Sequence, residues 1–164
     1  MYQSKERGIS LITLSIAIIL LIIITSILVY NTQTGTKLKA LNQMYSDVEN
    51  LTDKINTYYS KYGAIPAEIK YDNSEIINNI KSSNQISVND AQDEYYIIDL
   101  SALENLSLNY GEDYKNITNE NTSTKEDIYI INKQSHHVYY VQGITFENVK
   151  YYTNELDDSV NLYY

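Results

Sequence analysis

The 164-residue chain contains no cysteine and no tryptophan, one proline, five glycines and one phenylalanine. Without cysteine there is no disulfide framework, no thiolate metal site and no cysteine nucleophile. Arginine is confined to Arg7, so the body of the chain has no guanidinium for bidentate phosphate or base contacts. A formal net charge of −9 also repels phosphate backbones, and direct nucleic-acid binding is not expected. Phosphate-loop, nucleophile-elbow and zinc-protease motifs are missing too, which predicts a chain that is no enzyme and needs no cofactor. What is abundant is tyrosine, 18 residues of it, with much asparagine and isoleucine. Such a mixture is too rich in β-formers and aromatics for a disordered tail. A small, tyrosine-lined globular head is expected.

Charge is absent from the 22 residues Ile9 to Tyr30, 15 of which are Ile, Leu or Val. As a helix the run is about 33 Å long, enough for a hydrocarbon core of roughly 30 Å. A secretory signal has a shorter apolar core and a small-residue cleavage site after it, and neither is evident here. The run therefore reads as a retained membrane segment. Two cations on each side, Lys5 and Arg7 against Lys37 and Lys39, leave the positive-inside count tied. The first pair is closer to the apolar run, which leans towards an N-terminus inside the cell.

Beyond the span, Leu38, Leu41, Tyr45, Val48, Leu51 or Thr52, Ile55, Tyr58 or Tyr59 and Tyr62 recur at steps of three and four. That spacing draws one apolar stripe along a helix, with Lys39, Asn42, Asp47, Glu49, Asn50, Asp53 and Lys54 on the other face. One helix from about Ile9 to Tyr62 is predicted, with a weak point at Gly35 where a bend or melted turn is expected. The stripe is read as a core face packed on a sheet. Gly63 and Pro66 end the helix.

Further on, Asp72 and Glu75 have the spacing of a cap with its reciprocal acid, and Ser101 to Glu104 repeat it, so short helices are expected after each. Strands are predicted at Tyr95 to Asp99, Ile128 to Asn132, Val138 to Gln142 and Val149 to Thr153, with Lys133 to His137 as a hairpin connection. Asn116 to Asp127 reads as an exposed loop. In pairs such as Tyr139-Tyr140 and Tyr151-Tyr152, alternation predicts one ring inward and one outward. The fold class is α+β, an amphipathic helix across a small antiparallel sheet. His136-His137 is the only histidine pair. Neighbours on a strand point to opposite faces, so these read as surface-turn residues rather than metal ligands. Asp90, Asp93 and Glu94 lack the EF-hand spacing and read as a solvated acidic loop. Four Asn-x-Ser/Thr sequons, starting at Asn50, Asn105, Asn116 and Asn121, are ordinary in so Asn-rich a chain.

Lys5-Glu6-Arg7-Gly8 followed by Ile9-Ser10-Leu11-Ile12-Thr13-Leu14 resembles the class III leader of type IV pilins and pseudopilins. Tyr58 to Pro66 is similar to the tyrosine-glycine-proline close of the pilin helix. Asp99 to Gly111, Tyr129 to Asn132 and Val138 to Val141 are similar to pilin-like heads of Gram-positive bacteria. The resemblance implies a type IV pilin-like fold with a leader at 1–8, a membrane and filament-core helix at 9–30, an amphipathic continuation at 31–62 and a head at 63–164. It implies cleavage by a prepilin peptidase between Gly8 and Ile9 and N-methylation of Ile9. Thr13 stands where most members carry a glutamate, and Tyr30 where many carry a helix-bending proline. A hydroxyl cannot neutralise a neighbouring subunit's ammonium, so a minor or tip subunit is implied. The implied partners are the peptidase, other pilin or pseudopilin subunits, the inner assembly platform and the membrane. The implied location is the cell membrane, with a single pass and an extracellular C-terminal head, and then a surface pilus or pseudopilus. Two other readings share most of these features: a pseudopilin of a type II secretion or competence machine, and a permanently anchored single-pass protein whose extracellular head binds a ligand or mediates adhesion.

Overall fold

The computed structural model describes residues 11–83, 94–118 and 122–154. The chain divides into two compact units, Met1–Thr36 and Lys37–Tyr164. Helix α1, Leu11–Tyr62, contributes 52 residues and belongs to both. The break expected at Gly35 does not occur. The helix runs through it, and the space where a Cβ would stand is empty, so the only cost there is glycine's lost chain entropy. At the other end the expectation holds: Gly63 adopts φ +68° and its N–H donates to Tyr59 O at 2.8 Å, as a left-handed C-terminal glycine does.

In the second unit four strands form one antiparallel sheet in the order β1 (Ile69–Tyr71), β2 (Tyr95–Ile97), β3 (Tyr129–Asn132) and β4 (Val138–Tyr140). Tyr71 lies opposite Tyr95, Ile97 opposite Ile130, and Ile130 opposite Tyr139. A separate hairpin pairs β5 (Ile144–Phe146) with β6 (Val149–Tyr151). Its turn residues Glu147 and Asn148 have φ +48° and +67°, the sign pattern of the type I′ turn that matches strand twist. Helix α2, Ser74–Ser82, follows β1. Every anticipated strand is present but shorter, and β1 and β5 were not anticipated, because three-residue strands carry too few alternations to show a period.

Both faces of the four-stranded sheet are covered, which explains the main corrections in the head. On one face Met44, Val48, Leu51 and Ile55 of α1 pack with Tyr129, Ile131, Val138 and Tyr140. On the other, Ile80 of α2 packs with Tyr71, Tyr95, Ile97, Ile130 and Tyr139. Tyr139 and Tyr140 are therefore both buried, against the expectation of one ring in and one out. Alternation still operates, but each side of the pleat meets a core. Tyr151 is half-buried and Tyr152 buried.

The caps also differ from expectation. The N-cap of α2 is Asn73, whose Oδ1 accepts from Ile76 N at 3.2 Å, while Asp72 accepts from the Thr122 hydroxyl at 3.2 Å. Ser101 caps nothing: Leu100–Ala102 is a single 3₁₀ turn capped by Asp99, and Leu103 to Leu108 are not helical. The predicted loop from Asn116 to Asp127 contains a 3₁₀ turn, Thr122–Thr124, with Thr122 buried.

Candidate functional site

Three features of the described residues bear on function: an apolar helical surface, a buried carboxylate clasp and a groove at the end of α1. The first lies in the N-terminal unit. Leu14, Ile16, Ile18 to Ile24, Ile27, Val29 and Tyr30 are all exposed, from 49% at Ile23 and Val29 to 69% at Tyr30. Polar side chains in the same stretch are satisfied within the helix. The Thr25 hydroxyl donates to Leu21 O at 2.6 Å and the Ser26 hydroxyl to Ile22 O at 2.7 Å, which allows both to sit in hydrocarbon without an unpaired group. Thr34 and Thr36 bond back in the same way to Tyr30 and Thr32. This is one helix long and apolar enough to cross a membrane, and none of its apolar window is buried among the described residues. Gly8 and Ile9 lie outside the described residues. Thr13 lies in the first turns of α1.

The second feature centres on Asp47, a residue assigned above to the solvent face of α1. It is 2% exposed. Its Oδ2 accepts from Asn109 N at 2.8 Å, Tyr110 N at 3.0 Å and the Tyr129 hydroxyl at 2.9 Å, and its Oδ1 accepts from Asn109 Nδ2 at 2.8 Å. One carboxylate thus joins α1 to the 109–110 loop and to β3. A signal for this was in the sequence: Met44, Asp47, Val48 and Leu51 follow the same three-four spacing, so Asp47 interrupts the buried stripe rather than facing it. Asp127 does similar work one layer away, accepting from Gly111 N at 2.6 Å, Glu112 N at 3.1 Å and the Tyr140 hydroxyl at 2.9 Å. The Tyr140 hydroxyl is also 2.8 Å from Gln142 Oε1, and turning that amide round lets Gln142 donate while Tyr140 donates to Asp127.

Near the two carboxylates, Tyr110, Tyr140 and Tyr129 form a row of mutually tilted rings with successive centroids 5.2 and 5.1 Å apart. Burial pushes the Tyr129 phenol far above its usual range, with the negative charge of Asp47 adding to the effect. Burial does the same to Tyr140, followed by its hydrogen bond to Asp127. Tyr45, against the edge of Tyr151, is pushed up to about 12, first by burial and then by that neighbouring phenol. Tyr129 and Tyr140 are held neutral, as hydrogen-bond donors in a core. The clasp is a fastening centred on the buried Asp47 and Tyr129, with Asn109 exposed and Tyr110 and Asp127 half-buried at its edge.

The third feature is a surface groove of about 180 Å³ between the last two turns of α1 and the 102–105 turn, lined among others by Lys54, Tyr58, Lys61, Tyr62, Leu103 and Asn105. Tyr58 and Tyr62 have ring centroids 4.5 Å apart, and Lys61 Nζ lies 4.8 Å above the Tyr62 ring.

Of the residues singled out for metal chemistry, Asp90 and Asp93 lie outside the described residues. Glu94 is an ion-pair hub, 2.5 Å from Lys70 Nζ and 3.4 Å from Lys133 Nζ, and it also accepts from the Tyr96 hydroxyl at 3.0 Å. Those contacts, the Lys70 hydrogen bond foremost, hold its carboxyl down to about 2. His136 has φ +62° in the β3–β4 turn, with its ring 4.7 Å from that of Tyr59. Among the described residues no three His, Cys, Asp or Glu side chains gather as a metal site.

No protein-family model, no curated protein and no solved structure matches this chain. The coarse description therefore comes from the molecule itself. It is a membrane-associated α+β protein with a long apolar N-terminal helix and a globular head built on small antiparallel sheets.

Proposed function

We propose that the protein is a single-pass membrane protein that presents its acidic, tyrosine-rich head outside the cell as a binding or adhesion module. The observation carrying this is the exposed apolar surface between Leu14 and Tyr30, which no other described residue buries. Soluble proteins rarely leave so much contiguous apolar area uncovered. Lipid would cover it, and the self-satisfied hydroxyls of Thr25 and Ser26 suit that solvent. The head fits presentation rather than turnover. Its buried carboxylate, Asp47, is committed to holding α1, loop and sheet together.

A second reading has its own support. The leader-like Lys5 to Gly8, the Tyr58 to Pro66 close and the unbroken α1 between them favour a type IV pilus or pseudopilus subunit. In that reading a prepilin peptidase cuts between Gly8 and Ile9, Ile9 is methylated, and the apolar helix moves from membrane to filament core. There it packs with companion subunits on an assembly platform. Thr13, without the usual carboxylate, would make the subunit minor or tip-located. Mass spectrometry of the mature N-terminus, from cells with their own peptidase, separates the two. A chain retaining Met1 to Gly8 in the membrane fraction is expected for the anchored module. A methylated chain beginning at Ile9, recovered in sheared surface material, would replace that reading with the filament subunit.

A further inference from the structure

Between the apolar run and the first core residue, α1 passes through a stretch that contributes nothing to either core. Every residue from Gly35 to Lys39 is exposed. The first buried side chain is Leu41, and just before it the Ala40 carbonyl accepts from the Tyr110 hydroxyl at 3.4 Å. Composition does not make up for the missing contacts. In Asn31-Thr32-Gln33-Thr34-Gly35-Thr36, all but Gln33 are asparagine, threonine or glycine, which are weak helix formers. The hydroxyls of Thr34 and Thr36 bond back to Tyr30 O at 3.1 Å and Thr32 O at 2.9 Å, a contact that slightly weakens a helix. A stretch without core contacts opens locally at low cost, and proteolysis follows the population of opened chain.

Two lysines stand at the far end of this stretch. Lys37 and Lys39 are exposed, and neither is in an ion pair among the described residues. By contrast, Lys54, Lys70, Lys81 and Lys133 adjoin Ile55, Tyr71, Ile80 and Asn132, which are all buried, so opening the chain around them disrupts the core. The bond between Lys37 and Leu38 is also placed where a cut leaves the head whole. Both cores and the Asp47 clasp draw only on residues from Leu41 onward.

We propose that the Lys37–Leu38 bond is a release point, at which an extracellular protease whose specificity pocket takes a basic side chain frees the folded head from its membrane helix. Water adds across the peptide bond, leaving a carboxylate on Lys37 and an ammonium on Leu38, with no other co-reactant. The proposal rests on the reading of the head as an outward-facing module, and it adds a regulation of that module, its conversion from an anchored to a soluble form.

The test is brief digestion of the full-length protein in detergent micelles with trypsin, read by intact mass. The first product is expected to begin at Leu38 and to keep the urea midpoint of the uncut protein. Lys37→Gln with Lys39→Gln should slow its release more than about tenfold, because the pocket loses its cation. Gly35→Ala, which keeps the helix closed more of the time, should slow release about fivefold, while a free peptide of residues 31–43 with the same change is cut at its parent's rate. A first cut after any lysine other than Lys37 or Lys39 would overturn the proposal, as would a product that has lost the midpoint, or release that neither variant slows. Trypsin added to intact cells then separates the release point from the topology beneath it. Appearance of the head in the medium is expected. Cells that keep the head, although the purified protein is cut as described, would overturn the outward-facing reading and the release with it, whereas failure of the purified digestion removes the release point and leaves topology open.

Discussion

Asp47 shows how much one side chain can fasten. Its carboxylate gathers four donors from two segments that are more than sixty residues away from it in sequence. Asp47→Ala leaves two backbone N–H groups and the Tyr129 hydroxyl without their acceptor, at about 1–3 kcal/mol for each group that water cannot reach. A loss of about 3–5 kcal/mol in urea unfolding is expected, and a loss below about 1 kcal/mol would show that the loop re-pairs elsewhere. Glu94 is the opposite case, since its ion pairs lie in solvent. Its carboxyl is lowered from 4.5 to about 2, so the stability it contributes is fully present above pH 4.5 and is lost as pH falls through about 2. Screening keeps that contribution small. Glu94→Gln should flatten the acid limb of the stability curve in that window at low salt and leave neutral pH nearly unchanged; an effect that persists in molar salt would contradict a surface origin.

At the scale of elements, α1 was legible because its signals are long-range and repeated: an uncharged run, then a three-four stripe, then Gly63 and Pro66. The centre of the stripe was misplaced by part of a turn. Tyr45 was counted and Met44 was not, which sent Asp47 to the wrong face. The strands were found by composition where Tyr, Ile and Val cluster. β1 and β5 were missed because Ile69-Lys70-Tyr71 and Ile144-Thr145-Phe146 alternate as strands do but for three residues only, too few to show a period. The Asp47–Asn109–Tyr129 clasp was not legible, since nothing local in Asn109-Tyr110 says what it will meet. Two glycines test the account of α1 with opposite signs. Gly35→Ala should stabilise the helix by up to about 1 kcal/mol, because its Cβ enters open space in a regular helix. Gly63→Ala should cost about 1–2 kcal/mol through its φ of +68° alone, since no atom lies near its Cβ either. Amide exchange across 31–40 and urea unfolding of the head read the two effects separately. Stabilisation at both sites would show that the left-handed cap does not hold.

The whole molecule combines two solvents in one chain. The head is stabilised as water-soluble domains are, by two cores on either side of a sheet and by the partnered carboxylate of Asp47, while the buried Tyr71 hydroxyl is left without a hydrogen-bond partner among the described residues. The N-terminal helix has its apolar residues on the outside and hydroxyls bonded inward to its own carbonyls. These opposite arrangements follow from one tendency, that polar backbone and side-chain groups are paired where water is absent, to which the Tyr71 hydroxyl is an exception. The cysteine-free sequence makes the resulting topology directly measurable. Single cysteines at Thr145, exposed on β5, and at Ile22, in the middle of the apolar run, would be treated on intact cells with a membrane-impermeant maleimide. The account predicts labelling at 145 without permeabilisation and none at 22 until detergent is added. Labelling at 145 only in broken cells, or at 22 in intact ones, would contradict it.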